Sequence, residues 1–240
     1  MNNFTGLYRE ILENNNLNKY ISEPYIEKFK SLTSEMLRVN EFMNLTAITD
    51  VSGIIAKHYA DSLVIADMIS EKSTVIDVGT GAGFPALPLG IVRSDIRITA
   101  LDSTAKKLNY ISETAKLLEL DNISVLHSRA ETAGQSACRE TFDFVCARAV
   151  ASLNVLCEYC LPFLKIGGKC LAMKSLAADT EIDSALTAIE KLGGEMAENI
   201  LFDLYTHDGT QKRNVIIIQK KRSTPKIYPR NNAQINKNPL

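Results

Sequence analysis

The feature that most constrains the fold is a change of pattern at Thr74, where short apolar runs begin to alternate with amphipathic stretches. The runs that predict strands cover residues 74–78, 97–101, 124–127, 142–147, 169–174, 198–205 and 213–219. Stretches with helical periodicity lie between most of them, as at 105–118, 152–164 and 180–192. Strands that alternate with helices form parallel βαβ units. We therefore predict an α/β fold with a mostly parallel seven-stranded sheet and helices on both faces.

The regions on either side of this pattern differ from it. Residues 4 to about 70 carry apolar residues close to a helical period, for example Ile26, Phe29 and Leu32. No helix separates the last two predicted strands, and Asp208-Gly209 is a typical turn signal, which predicts a hairpin. The predicted organisation is a helical cap over 1–70, an α/β domain over 71–222 and a basic, extended tail over 223–240.

The charge of the chain is distributed unevenly. The net charge is only −1, yet the segment from Gln211 to Leu240 contains eight Lys or Arg residues and no Asp or Glu. Such a basic tail on an acidic body is typical of a protein that binds a polyanion, and a solvated tail is the alternative.

Several features indicate the compartment. No run of eighteen apolar residues predicts a membrane span, and the first residues lack the pattern of a signal peptide. The five cysteines are odd in number and lack the spacing of an extracellular disulfide framework. We expect a cytoplasmic protein.

Three alternate glycines, Gly79, Gly81 and Gly83, follow the first predicted strand. Glycine tolerates positive φ and lets the backbone approach a ligand, and ligands of parallel sheets bind beyond the carboxyl ends of the strands. A dinucleotide fingerprint needs glycine at position 84, where this chain has Phe84. The observed G-x-G-x-G after an Asp-containing strand is instead typical of class I methyltransferases, which bind S-adenosylmethionine. A purely structural turn is the alternative.

Acidic residues after the next two strands support this interpretation. Asp102 ends the second strand, where a carboxylate accepts hydrogen bonds from ribose hydroxyls. It also suits the N-cap of the helix that follows. Ala130 and Glu131 follow the third strand, where the loop would flank the adenine ring. Glu131 could otherwise stabilise a helix N-terminus.

The end of the fourth strand bears on the substrate. It lacks the Asn/Asp-Pro-Pro-aromatic motif of amino-nitrogen methyltransferases, and Cys146 has no neighbouring proline, so it suits packing better than nucleophilic attack on a pyrimidine. Guanine N7 carries an exposed lone pair and needs alignment rather than a general base. Arg148 would lie near both the methyl donor and the base, with a surface ion pair as its alternative role.

Other candidate residues have structural roles as alternatives. His58 and Asp61 can interact on one helix, and a structural role is favoured. Cys157 and Cys160 lack the further ligands of a zinc site, so no metal is expected and both should pack from a helix onto the sheet. The remaining basic and aromatic residues suit RNA, through phosphate neutralisation and base stacking, and the candidates are Lys174, Arg222, Lys226, Tyr228 and Arg230.

Taken together, these residues resemble the RsmG/GidB family of bacterial 16S ribosomal RNA guanine-N7 methyltransferases. The resemblance spans nearly the whole chain and rests on the motifs at 44–48, 57–58, 61–63, 77–85, 101–103, 129–131, 147–150, 173–174 and 228–230. Two departures are Ala86 and Ser175, where the family usually or commonly has glycine.

The resemblance implies S-adenosylmethionine contacts at Gly79, Phe84, Ala130, Glu131 and Arg148, which makes 71–222 the methyltransferase domain. It also implies that the product is 7-methylguanosine in the decoding-region loop of 16S ribosomal RNA in the small ribosomal subunit, and we expect a monomer. A nicotinamide-dependent dehydrogenase, a small-molecule methyltransferase and a non-catalytic cofactor- or RNA-binding module are the alternatives.

Overall fold

The computed structural model describes residues 3–175 and 179–240, and at its centre lies one seven-stranded sheet. The strand order is β3-β2-β1-β4-β5-β7-β6. The strands are β1 (Thr74–Val78), β2 (Arg97–Asp102), β3 (Ile123–His127), β4 (Phe142–Arg148), β5 (Leu164–Ser175), β6 (Gly194–Thr206) and β7 (Gly209–Lys220). Strands β1 to β5 pair in parallel, whereas β7 runs antiparallel to both β5 and β6. The predicted fold class is confirmed.

The antiparallel strand distinguishes this sheet from the dinucleotide-binding order, in which β6 lies directly beside β5. Here β7 is inserted between them, because the hairpin predicted at Asp208-Gly209 forms. Its turn residues are His207 and Asp208. Since β7 runs antiparallel, its first residues lie at the edge of the sheet where β1 to β5 end, and Lys220 lies at the opposite edge.

The helices account for most of the rest of the described chain. Before the sheet lie α1 (Phe4–Asn14), α2 (Glu23–Met43), α3 (Val51–Ile54), a π-helix (Ile55–Ala60) and α4 (Asp61–Leu63). Within and after the sheet lie α5 (Ala86–Val92), α6 (Ala105–Leu117), α7 (Ala130–Ala133), α8 (Leu153–Cys160), α9 (Asp179–Lys191) and α10 (Asn232–Lys237). Among the residues described, no helix is both long and apolar enough to cross a bilayer.

Alternation along the strands divides the core into two layers, one on each face of the sheet. In β5, Leu171 and Met173 point into the layer that contains the apolar residues of α1 and α2. Cys170 and Ala172 point into the layer formed with α8 and α9. Successive side chains of a strand face opposite sides, so both faces are covered. The apolar residues of 1–70 thus share a core with the sheet, and a separate cap stays a prediction from the sequence pattern.

The C-terminal segment, which we expected to be extended, contains α10 and packs against the domain. Asn231 caps this helix, since its side chain accepts a hydrogen bond from the backbone N–H of Gln234 at 3.0 Å. Ile235 is fully buried. One capping residue and one buried apolar residue are too few to show helical periodicity, so the sequence pattern does not predict this helix.

Candidate cofactor and substrate site

The glycine loop lies at the carboxyl end of β1 and is fastened to β2. Gly79, Gly81 and Gly83 all have positive φ, at 72°, 60° and 88°. The backbone N–H groups of Gly79 and Thr80 both donate to the carbonyl of Leu101, at 2.9 and 3.0 Å. The loop therefore has the left-handed conformation for which glycine is suited.

Asp102, at the end of β2, holds the neighbouring loops in place. Its Oδ2 accepts a hydrogen bond from the backbone N–H of Gly81 at 3.1 Å, and its Oδ1 accepts one from that of Thr104 at 2.8 Å. The N-cap position of α6 is Thr104, not Asp102. The carboxylate is only partly buried, so its remaining lone pairs are open to a ligand.

Not every glycine of the loop faces a ligand. A Cβ placed on Gly83 would lie 2.5 Å from Cδ1 of Leu87, so this glycine, which we predicted to bind the cofactor, serves the close packing of α5. A Cβ placed on Gly79 would lie 2.9 Å from Cγ2 of Val150. The absence of a side chain at Gly79 therefore leaves space for the loop after β4, as well as for any ligand.

Two adjoining cavities open at this edge of the sheet. The larger, of about 770 Å³, is lined by predicted site residues from the loop and from β2, β4 and β5, namely Gly79, Gly81, Phe84, Asp102, Arg148 and Lys174. The smaller, of about 270 Å³, is lined by Asp102, Ala130 and Glu131. Gly79, Asp102, Val150 and Ala151 line both. The structure thus brings together every predicted cofactor residue except Gly83.

Arg148 crosses the larger cavity and is held by the N-terminal helices. Its Nη1 donates to the carbonyl of Lys57 at 2.7 Å and to Oδ2 of Asp61 at 3.1 Å. Asp61 is 7% exposed and also pairs with Arg213, whose Nε lies 3.5 Å from Oδ1. Burial raises the pKa of Asp61, and the two guanidinium groups oppose that shift. The charge of Arg148 is thereby largely compensated, a role for Asp61 that we did not predict.

His58 connects this ion pair to the loop after α2. Its Nδ1 accepts a hydrogen bond from Nη2 of Arg148 at 3.4 Å, and its Nε2 lies 2.9 Å from Oγ1 of Thr46. Burial, followed by the charge of Arg148, lowers the pKa of His58 to about 3. The imidazole is therefore neutral, and its position agrees with the predicted structural role.

Asp77 lies beneath the glycine loop. Its Oδ2 accepts hydrogen bonds from the hydroxyl of Thr80 at 2.6 Å and the backbone N–H of Ala86 at 3.2 Å. Its Oδ1 is buried and has no hydrogen-bond partner in the described structure. Burial raises the pKa of Asp77 to about 6. This carboxylate supports the loop from below rather than lining either cavity.

The cations at the mouth of the larger cavity differ partly from those predicted. Lys57 and Lys107 line it and form no ion pair with any described residue. Lys174 lines it too, but its Nζ donates to the carbonyl of Ala151 at 2.9 Å and to Glu181. The sequence signal for Lys57 was its place in a family motif, whereas nothing in the local pattern singled out Lys107.

The predicted RNA-binding residues of the tail have different surroundings. Arg222 lies near Gly193 at the edge of the sheet opposite the cavities. Lys226 is exposed, and Tyr228 is partly buried. Arg230 donates to both carboxylate oxygens of Glu158, which is 1% exposed, at 2.9 and 2.6 Å. The guanidinium carbon of Arg230 lies 5.9 Å from the centroid of the Tyr228 ring, so these two residues lie together, whereas Arg222 lies beside Gly193. The RNA contacts of these residues stay a prediction.

Four of the five cysteines are buried, and Cys138 is partly buried. Cys157 and Cys160 lie on α8 in the core, as predicted, and Cys146 is fully buried in β4. Burial raises the pKa of the Cys146 thiol well above its ordinary value, which keeps it protonated. Within 3–175 and 179–240, no three His, Cys, Asp or Glu side chains are grouped so that they could hold a metal ion.

Comparison with known proteins decides the family. Residues 25–202 match the family GidB, described as rRNA small subunit methyltransferase G. The chain belongs to this family. It is 42% identical over 232 residues to ribosomal RNA small subunit methyltransferase G of Lactobacillus delbrueckii subsp. bulgaricus. The match covers 93% of this chain and 96% of that relative. It is 43% identical to that of Bacillus cereus, over 92% of each chain. The predicted family and methyltransferase activity are confirmed.

Solved structures support the same fold. M. jannaschii TYW2, in complex with AdoMet, matches 67% of this chain and 74% of its own with a TM-score of 0.55 and 17% identity. A SAM-dependent methyltransferase from Aquifex aeolicus matches 78% of this chain and 98% of its own with a TM-score of 0.52 and 20% identity. These structures show the fold alone, and the prediction of S-adenosylmethionine as cofactor is confirmed by membership of the methyltransferase family.

The residues present fit this cofactor, and the two departures from the family pattern do not obstruct it. The smaller cavity, with Asp102 and Glu131, suits a nucleoside, while the glycine loop suits the amino-acid end. Ala86 is fully buried and keeps its backbone bond to Asp77. Ser175 pairs with Arg213 in the sheet and lines the larger cavity.

Proposed function

We propose that this protein transfers the methyl group of S-adenosylmethionine to N7 of a guanine in 16S ribosomal RNA, in the decoding-region loop of the small ribosomal subunit. The observation that carries the proposal is the pair of adjoining cavities, one suited to a nucleoside and the other large, cationic and open. The family relatives are named for the same class of substrate.

The carboxylates and the imidazole that line the larger cavity already have hydrogen-bond or ion-pair partners. Of the described residues that line it, the carboxylates are Asp61, which two arginines neutralise, and Asp102, which two backbone N–H groups hold. His58 is neutral, and both of its ring nitrogens have partners. None of these groups is placed as a ready general base. A substrate atom that already carries a lone pair, such as guanine N7, needs none.

Alignment then accounts for the chemistry. When bound, the cofactor supplies an electrophilic methyl group on a sulfonium centre. Asp102, Ala130 and Glu131 hold the nucleoside end, and the glycine loop holds the amino-acid end. Arg148 is fixed by Asp61 and the carbonyl of Lys57, so it forms a rigid wall against which the incoming base is oriented. Holding two reactants in an attack geometry lowers the barrier by pre-organisation.

The cavity mouth attracts RNA through Lys57 and Lys107, which line the cavity and form no ion pair with any described residue. Phosphate neutralisation by such lysines supplies most of the sequence-independent affinity for nucleic acid. Because the proposed substrate is the small ribosomal subunit, we expect the protein to act in the cytoplasm. We also expect it to be a monomer.

The experiment is to incubate the purified protein with methyl-labelled S-adenosylmethionine and 30S subunits or naked 16S RNA from cells that lack this protein. We expect one labelled guanine, and borohydride reduction followed by aniline should cleave the RNA at that base, as 7-methylguanosine requires. Label at another atom would refute the N7 assignment. Label in neither RNA preparation would refute the function.

A further inference from the structure

The smaller cavity has a second wall, which the C-terminal helix provides. Besides Asp102, Ala130 and Glu131, the cavity is lined by Tyr159 of α8 and by two asparagines of α10, Asn232 and Asn236. These residues belong to no motif considered above. They come to the cavity because the chain after Lys220 crosses back from the far edge of the sheet to the cofactor edge.

We propose that α10 is part of the cofactor site and that the side-chain amide of Asn232 hydrogen-bonds the adenine ring. The inference rests on the cofactor assignment and extends it to the C-terminal segment. It gives that segment a role beyond the RNA contacts predicted from its charge.

The hydrogen bonds around Asn232 leave its donor group for a ligand. Its Oδ1 accepts hydrogen bonds from the hydroxyl of Tyr159 at 2.6 Å and from Nδ2 of Asn236 at 2.8 Å. A carbonyl oxygen has two lone pairs, so both are used. Nδ2 of Asn232 makes no hydrogen bond to any described residue. These two N–H groups can therefore donate to ring nitrogens of adenine, which are acceptors.

The segment is fastened well enough to hold that amide in place. The backbone N–H of Arg230 and its guanidinium all donate to Glu158, at distances from 2.6 to 2.9 Å. The guanidinium of Arg139 donates to the carbonyls of Thr224 at 2.6 Å and Tyr228 at 2.7 Å. These bonds hold the segment that precedes α10, and the buried side chain of Ile235 holds the helix itself. A binding group held this way loses little freedom when the ligand arrives.

The test is calorimetric binding of S-adenosylhomocysteine, and separately of 5′-methylthioadenosine, which lacks the amino-acid end. We expect Asn232→Ala to weaken both ligands by about fivefold, the loss of one neutral hydrogen bond. Tyr159→Phe, which removes only the hydroxyl that orients Asn232, should weaken both by about twofold. The control is Gln234→Ala, an exposed residue of the same helix that does not line the cavity, and it should bind like the unmodified protein.

Thermal unfolding without ligand reports whether each variant is folded. Folded Asn232→Ala and Tyr159→Phe proteins that bind both ligands with unchanged affinity would overturn the proposal. So would an equal loss in Gln234→Ala, because the effect would then belong to the helix as a whole. Failure of the unmodified protein to bind S-adenosylhomocysteine would overturn the proposal together with the cofactor assignment. If Asn232→Ala does not fold, Tyr159→Phe decides by the same criteria.

Discussion

The imidazole of His58 lies flat against the phenyl ring of Phe84, with ring centroids 4.5 Å apart and planes inclined by 6°. His58 belongs to the π-helix that precedes the sheet, and Phe84 follows the glycine loop. The guanidinium of Arg148 lies 5.5 Å from the same phenyl ring. This contact joins the N-terminal helices to the cofactor loop, and π-helical turns are often found at functional sites.

Substitutions of His58 separate its packing from its hydrogen bonds. His58→Phe keeps a ring on Phe84 but loses the bonds to Thr46 and Arg148, whereas His58→Ala loses both. We expect the phenylalanine variant to stay close to the native stability and to bind S-adenosylhomocysteine less tightly. The alanine variant should lose about 2 kcal/mol of stability, mainly through lost packing. Urea unfolding and calorimetry measure the two effects, and equal stability of both variants would contradict a packing role.

The low pKa of His58 predicts how stability depends on pH. Between pH 6.5 and about 3 the unfolded chain binds a proton at His58 that the native protein does not, so the free energy of unfolding falls as the pH is lowered through this window. From pH 7 to 5.5 the loss attributable to this residue is about 1 kcal/mol. Asp77, whose pKa is raised to about 6, contributes with the opposite sign. The pH dependence of the unfolding free energy should therefore be compared between the unmodified protein and His58→Phe. Parallel curves would contradict the assignment of this pH dependence to His58.

Asp61 should matter far more than an exposed carboxylate. Asp61→Asn leaves the guanidinium groups of Arg148 and Arg213 without their shared counter-charge, which we expect to cost about 3 kcal/mol of unfolding free energy. Asp203→Asn breaks an exposed pair with Lys212 and should cost about 0.5 kcal/mol or less. Denaturant unfolding of both variants measures the difference. Similar losses would mean that Asp61 does not hold the two arginines together.

Two glycines with the same backbone angle test the packing at the loop. Gly83 and Gly167 both have φ of 88°, but an added Cβ meets Leu87 at 2.5 Å in the first case and has no neighbour within 4 Å in the second. Both alanine variants share the cost of the left-handed conformation, about 1 kcal/mol. Gly83→Ala should lose about 1–3 kcal/mol more through overpacking. A Gly83→Ala protein no less stable than Gly167→Ala would show that α5 can shift freely.

The lysines at the cavity mouth should control the salt dependence of RNA binding. Replacing Lys107 with alanine removes one phosphate contact, so the slope of log affinity against log salt should become shallower by about 0.7. Lys169, an exposed lysine of β5 away from both cavities, is the matched control and should leave the slope unchanged. Titration of labelled RNA at several salt concentrations measures the slopes, and identical slopes for the two variants would exclude Lys107 from the interface.

The sequence predicts those parts of the molecule that local patterns encode. The alternation of strands and helices predicts the sheet, and the positions of Gly79, Asp102 and Arg148 at strand ends predict their convergence, because parallel strands end at one edge. Periodicity in the sequence predicts that a helix or strand is present more reliably than it predicts where that helix or strand ends. The helix predicted over 152–164 ends as an α-helix at Cys160, and β5 begins at Leu164.

Long-range pairings could not be predicted in this way. Asp61, the first residue of α4, pairs with Arg148 and Arg213 across the fold, and only packing of the N-terminal helices against the sheet brings them together. Gly83 matches the glycine pattern, yet its neighbour Leu87 decides its role. The charge of Arg230 predicts an RNA contact, but its ion pair with the buried Glu158, 72 positions away in the sequence, could not be predicted. Residue type and spacing do not report such partners.

A crystal structure of this protein with S-adenosylhomocysteine would show where the cofactor binds. We predict the adenosine in the smaller cavity, its ribose on Asp102 and its adenine between Glu131 and Asn232, and the sulfur in the larger cavity beside Arg148. A ligand bound elsewhere, or bound with its adenine in the larger cavity, would contradict this prediction.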